Sequence, residues 1–255
     1  MATPVLWHFP VSHFNEKARW ALDFKRIPHV RKALSLDYLP RALWATGKPT
    51  LPILFLAGKA IGDSTRILEA LERSNPEPAL YPSDPAERRR AVELEDFFDA
   101  ELGHQLRAAM LGPMFVKDPD GVLRTLTLGM NLGPRMLRAM RAGFPAFSGF
   151  YRYRHNINPA TVREGPEKIR AALDRVRAEL RPSGYLVGDG FTVADLAAAA
   201  LLSPLVIPKG FQYPIPDPLP SSVLEIRESL SSHESWRWVE EMYARHRGGS
   251  MEVAA

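Results

Sequence analysis

Short apolar runs alternate with helical periodicities over the first 75 residues. Val5-Leu-Trp-His-Phe9 reads as a strand stopped by Pro10, whose ring fixes φ and removes a donor. From Asn15 to Lys25, Ala18, Ala21 and Leu22 fall on one helical face, and Trp20 and Phe24 widen it. Val30 to Leu36 predicts a second strand, Leu51 to Ala57 a third, and a turn at Gly58 leads to a fourth through Ile61. Ile67, Leu68 and Leu71 form the apolar side of a helix over Thr65–Arg73. The order β-α-β, then β-β-α, predicts a mixed sheet with helices packed on it.

The pattern then changes. Ser74 to Pro85 holds four prolines, which cannot continue a helix or a central strand. The predicted division is an α/β domain over residues 1–76, a linker over 77–85 and an all-helical domain over 86–255. In the helical part Leu94, Phe98, Leu102, Leu106 and Met110 recur every four residues, the stripe of a long helix. Ile169, Leu173, Val176 and Leu180 make a second stripe, and Trp236, Val239, Met242 and Tyr243 a late one. Thr192-Val-Ala-Asp195 has the form of a capping box with Asp for Glu, and Phe191 and Leu196 stand at the staple positions. Leu196–Ile207 is the most apolar stretch but is too short to span a bilayer, so it reads as a core helix. The opening residues lack the basic start of a targeting segment, and the expectation is a cytoplasmic protein.

Composition narrows the chemistry. The 255 residues include no cysteine, which excludes disulfides, thiolate–metal sites and any reaction using the protein's own thiol. A net charge of +4 suits an anionic small ligand or weak surface attraction and is far from a dedicated nucleic-acid binder. No phosphate-binding glycine loop, serine-hydrolase elbow or zinc-protease helix motif occurs, the seven histidines are scattered, and no metal is expected.

Three short features carry candidate chemistry. Ser12 to Leu22 places a hydroxyl in the loop feeding the first helix, where free amides and the helix dipole favour negative charge. Ser12 or Asn15 as a plain N-cap explains the same residues. Pro52, between a loop and a strand, is either a cis proline that turns the preceding backbone toward a ligand or a trans one that opens an edge strand. Asp63-Ser64 precedes a helix, where the amides and Ser64 suit a carboxylate and Asp63 an ammonium, or where the pair simply caps the helix.

Order and spacing make the three features specific. The Ser-x-Phe-x-x-x-Ala-Arg-x-x-Leu pattern at Ser12 to Leu22, Leu51-Pro52, Asp63-Ser64 and the Thr192–Asp195 box after Gly184-Tyr-Leu-Val-Gly188 resemble the cytosolic glutathione transferases. The resemblance covers about residues 4–110 and 165–245. It implies a thioredoxin-like N-terminal domain that binds glutathione, followed by an all-α helical bundle. It further implies a homodimer that detoxifies hydrophobic electrophiles. Glutathione would lie against Phe14, Lys48, Leu51, Pro52, Asp63 and Ser64, with Leu51 offering backbone bonds and Lys48 reaching the glycyl carboxylate. The electrophile would contact His8, Met110, Met114 and Phe115. In the serine classes of the family the activating residue corresponds to Ser12. The tyrosine-class position is His8, so Ser12 is favoured, with His13 as a second polar group where the family often has proline. A dehalogenase or isomerase on the same site, and a catalytically silent ligand-binding or protein-interaction module, are the alternatives on this fold.

One segment departs from the pattern. Gly121–Arg163 contains no Asp or Glu and carries Arg124, Arg135, Arg138, Arg141, Arg152, Arg154 and Arg163 among apolar residues. It lies within an extended basic stretch near 115–163. An anionic co-substrate, a membrane-surface or partner contact, and a solvated face pairing with the acidic helix of Glu93, Glu95, Asp96, Asp99 and Glu101 all fit it.

Overall fold

Val5–His8 (β1) pairs in parallel with Val30–Ala33 (β2) and antiparallel with Ile53–Leu56 (β3), which pairs antiparallel with Lys59–Gly62 (β4). The computed structural model describes residues 2–34, 38–128, 132–213 and 215–254. The sheet order is β2-β1-β3-β4, the thioredoxin-like arrangement that the resemblance implied. Its helices are His13–Phe24 (α1), Tyr38–Thr46 (α2) and Ser64–Ser74 (α3). Leu6 and Leu54 on one sheet face pack against Leu22, Ile67 and Leu68. The second strand is shorter than expected, ending at Ala33, and part of its expected end lies outside the described residues. Helix α2 escapes the sequence pattern because only Ala42 in it is buried, so no apolar stripe marks it.

The proline-rich link is docked rather than loose. Leu80 and Tyr81 are buried, the Leu80 amide donates to the Glu72 carboxylate, and the Val193 amide donates to the Leu80 carbonyl. Asp84 then caps the next helix by accepting from the Ala86 and Glu87 amides.

The C-terminal unit contains Pro85–Phe97 (α4), His104–Lys117 (α5), Pro119–Leu126 (α6), Pro134–Ala142 (α7), Phe144–Arg154 (α8), Pro159–Glu179 (α9), Val193–Val206 (α10), Ser221–Leu230 (α11) and Glu234–Met242 (α12). A π-helical turn, Phe98–Gly103, joins α4 to α5 without a break in helical backbone, so the Leu94–Met110 stripe lies on one continuous rod. Helix α10 is buried along nearly its whole length against α1, α4 and α12. Its capping box forms as the spacing predicts: the Asp195 carboxylate accepts from the Thr192 amide and hydroxyl and from the Leu186 amide, each at 2.8 Å. Leu180 leaves its predicted stripe, ending α9 half exposed.

The acid-free segment builds α6, α7 and α8 around a core of its own, in which Phe115, Val122, Leu126, Phe144 and Ile157 pack together. Its arginines do not pair with the acidic helix. Among the described residues Arg124 meets Asp118, Arg141 meets Asp120, and Arg154 donates to the Pro49 carbonyl. Glu95 and Asp99 instead hold Lys17, and Glu101 holds Lys168. The chain's last stretch returns to the first domain, where the Val253 amide donates to the His29 carbonyl beside β2 and so covers that sheet edge.

Candidate functional site

The loop between β1 and α1 is held from behind. Arg19, fully buried, donates through Nε to Glu16 and through Nη1 to the Phe9 carbonyl, with Nη2 at 3.5 Å from the Ser12 carbonyl. The Asn15 side chain accepts from the Phe9 amide at 3.1 Å. Ser12 stands at the N-cap of α1 with extended backbone (φ −94°, ψ 126°), yet its hydroxyl makes no capping bond. It lines the cleft between the two domains, next to first-turn amides that have no intrahelical acceptor.

The opposite wall comes from two loops. The Leu51–Pro52 peptide is cis, and both residues line the cleft. Asp63 takes φ 80°, a left-handed conformation rare for a residue with a side chain, and its carboxylate accepts from the Arg66 amide at the head of α3. Ser64 is buried at the same helix start, and Asp63 and Ser64 face the same cavity as Ser12.

The cleft has a volume of about 640 Å³. Its other half is lined by Phe14, Met110, Leu111, Met114, Tyr151 and Phe211, among others. Phe14 rests against the π turn so closely that a Cβ on Gly103 would lie 2.3 Å from its ring, which is why glycine stands there. Among the described residues no three His, Asp or Glu side chains are arranged to hold a metal ion.

Four expected site residues sit elsewhere or act differently. His8 lies behind the cleft: Arg19 Nη1 approaches its Nδ1 at 3.1 Å and the Tyr213 hydroxyl its Nε2 at 3.5 Å. Burial, with the nearby Arg19 charge, pushes its pKa down to about 2, so the ring is neutral. Lys48 is exposed and does not line the cleft, whereas Arg154 from α8 reaches the neighbouring Pro49 carbonyl. Phe115 packs in the second core and does not line the cleft, whereas its neighbour Met114, in the same core, does. His13 lines the cleft, but its Nε2 lies 2.8 Å from the Gly103 carbonyl, which ties α1 to the π turn. Burial and the Arg107 charge hold it well below the usual histidine range.

Sequence profiles of the glutathione S-transferase N-terminal and C-terminal domains match residues 6–79 and 159–221 respectively, together more than half of the chain. The chain belongs to the glutathione S-transferase family. A curated relative, FtsZ-localized protein A of Caulobacter vibrioides, is 27% identical over 203 residues, spanning 78% of this chain and 75% of that protein. Among solved structures, FzlA from C. crescentus is 24% identical with a TM-score of 0.54, covering 93% of this chain and 92% of that one. A glutathione S-transferase from Methylobacterium radiotolerans, in complex with glutathione sulfonate, is 21% identical with a TM-score of 0.56, covering 92% and 93%. At these identities the two structures establish a shared fold.

Beyond the residues that carry this glutathione S-transferase resemblance, the cleft contains a charged group that sequence reading missed. Arg107 lines it, with Nη1 at 3.0 Å from His155 Nδ1 and its guanidinium carbon 5.9 Å from the centroid of the Phe14 ring. A signal was present: Arg107, Met110, Leu111 and Met114 stand at i, i+3, i+4 and i+7, one face of α5. Tyr151, Arg154 and His155 repeat the same logic on and just beyond α8. Burial, then the Arg107 charge, pushes His155 down to about 3 and lowers His104 as well. The imidazoles around Arg107 are therefore neutral, and the positive charge is the guanidinium's.

Proposed function

We propose that the cleft binds glutathione and that Ser12 donates a hydrogen bond to its thiolate, which then attacks the electrophilic carbon of an apolar co-substrate. The supporting observation is the Ser12 hydroxyl, which is free of any capping bond and lies on the cavity shared by Leu51, Pro52, Asp63 and Ser64. Asp63 meets the γ-glutamyl ammonium, and Ser64 with the α3 amides meets the α-carboxylate. Leu51 pairs with the cysteinyl backbone. Arg154, rather than Lys48, stands at the Pro49 rim to hold the glycyl carboxylate. The electrophile lies against Phe14, Met110 and Met114, whose flexible side chains suit a permissive surface. His13 is a positioning residue that fixes the start of α1.

A free thiol has a pKa of about 8.5, and lowering it by two units requires about 2.7 kcal/mol. One charge-assisted hydrogen bond and the helix N-terminus together supply that order of energy. In the reaction the sulfur–carbon bond forms, the leaving group departs with its electron pair, and the thiol proton passes to solvent. Ser12→Ala should lower turnover of 1-chloro-2,4-dinitrobenzene by about 100-fold, the usual cost of losing one donor to a reacting anion. Affinity for S-methylglutathione should stay within a few-fold. Undiminished turnover in that variant would overturn the role of Ser12.

A second reading rests on a specific resemblance. The relative named FtsZ-localized protein A is 27% identical over 203 residues, and α7 has no buried residue, leaving Met136 and Leu137 exposed among Arg135, Arg138 and Arg141. On that reading the fold serves as an interaction module. Retention of FtsZ by the immobilised chain, with no glutathione binding and no conjugation, would favour it over transfer chemistry.

A further inference from the structure

Taking the cleft as a two-substrate site, we propose that its co-substrate half selects apolar molecules bearing a carboxylate, and that Arg107 binds that carboxylate. The charge inventory of the cavity carries the argument. Among its described lining residues Asp63 is the one acid, while Arg107 and Arg154 are both cations. Neither arginine has a carboxylate within 4.0 Å among the described residues. A guanidinium in an apolar cavity without a counter-ion carries a desolvation cost that an incoming anion offsets.

Glutathione accounts for only part of this charge. Its ammonium meets Asp63, its α-carboxylate the head of α3, and its glycyl carboxylate Arg154 beside Pro49. Arg107 remains. It stands on the C-terminal domain, in phase with Met110, Leu111 and Met114 and beside the Phe14 ring, so a ligand it holds also covers apolar surface. Its planar fork suits a carboxylate bidentately. Thr125, which also lines the cavity, has a buried Oγ1 with no hydrogen-bond partner among the described residues and offers a further donor. Neutral His155 leaves the guanidinium charge undivided, because its Nδ1 accepts from Arg107.

The test is calorimetric binding of naphthalene-2-carboxylate against its neutral carboxamide at neutral pH, with and without saturating S-methylglutathione. The carboxylate should bind at least tenfold more tightly in both conditions, a difference of about 1.4 kcal/mol. Arg107→Gln should remove that preference while leaving carboxamide affinity within about twofold, and Arg107→Lys should restore part of it. Equal binding of the two probes, or a preference that survives Arg107→Gln, overturns the proposal. So does a preference that vanishes once S-methylglutathione is bound, which would give Arg107 to the thiol's own carboxylate. A chain that prefers the carboxylate yet fails to bind S-methylglutathione keeps the anion site and overturns the glutathione reading instead.

Discussion

The two sides of helix α1 treat charge in opposite ways. On its buried side Lys17 meets Glu95 and Asp99, and Arg247 bridges Glu16 and Asp23 at 2.7 Å each. Asp23 also holds Arg31, Glu16 also holds Arg19, and the Tyr243 hydroxyl donates to Glu16. The Lys17, Arg247 and Tyr243 contacts cross the domain boundary, and Arg19 and Arg31 complete the same matched set from within the first domain. On the cleft side Arg107 and Arg154 face a cavity whose described lining has one carboxylate, at the far wall. The same residue types fasten two domains where they are matched and attract a ligand where they are not. Ligand chemistry is therefore legible in the imbalance of charge rather than in its amount.

The sharpest way to break this comparison is to unbalance the matched side. Lys17→Met leaves Glu95 and Asp99 facing each other with only the Thr65 hydroxyl between them. Removing one member of such a buried set costs about 3–5 kcal/mol, because the remaining charge is stranded. Urea unfolding should show a loss of that size, and a loss below about 1 kcal/mol would mean that water already reaches the pair. Glu95 softens the blow at low pH, since burial already raises its pKa and protonation relieves the strand.

A smaller effect comes from His8, the neutral ring packed beside Arg19. Its folded pKa of about 2 lies below the unfolded value near 6.5, so the unfolded chain binds the extra proton. Its contribution is complete above pH 6.5 and is lost as pH falls toward 2. The slope below 6.5 is about 1.4 kcal/mol per pH unit for one proton. Asp195 acts in the other direction. Burial raises its carboxyl to about 6 against the hydrogen bonds that favour its ionised form, so its protonation below that pH stabilises the fold. Comparing wild type with His8→Gln at each pH isolates the histidine. The variant should lose about 1.6 kcal/mol less between pH 6.5 and 5, and parallel curves would show that folding does not depress the pKa of His8.

What the sequence revealed divides along the same line. The Thr192–Asp195 box was readable because both partners lie within one turn, and α1, α3 and the four strands because periodicity records burial locally. Ser12, Leu51-Pro52 and Asp63-Ser64 stood out through a resemblance in order and spacing, and the structure brings them to one cavity. Lys17–Glu95 and His13–Gly103 join residues 78 and 90 positions apart, and no local pattern encodes such pairs. Phe115 misled because a stripe of large apolar residues looks alike whether it faces a cleft or a core. Met114 and Phe115 both belong to the second core, and one residue's rotation on α5 lets Met114 alone also line the cavity. The acid-free segment misled for the converse reason: an acidic helix was available in the sequence, but Glu95 and Asp99 were already held by Lys17, Glu101 by Lys168 and Glu93 by Arg90.

The smallest expected effect sharpens the comparison most. Arg107→Met removes a cation of the same sign as Lys17, from a C-terminal-domain helix that faces the cleft, yet it strands no anion. His155 loses only the donor at its Nδ1. The stability change should stay within about 1 kcal/mol, since a long apolar side chain replaces an unpaired charge. It should carry a magnetic-resonance signature: with the guanidinium gone, the pKa values of His13, His104 and His155, each depressed by burial and then by Arg107, should all rise. A stability loss rivalling that of Lys17→Met would place a hidden counter-ion at Arg107, and the distinction between a fastening charge and a binding charge would dissolve at this position.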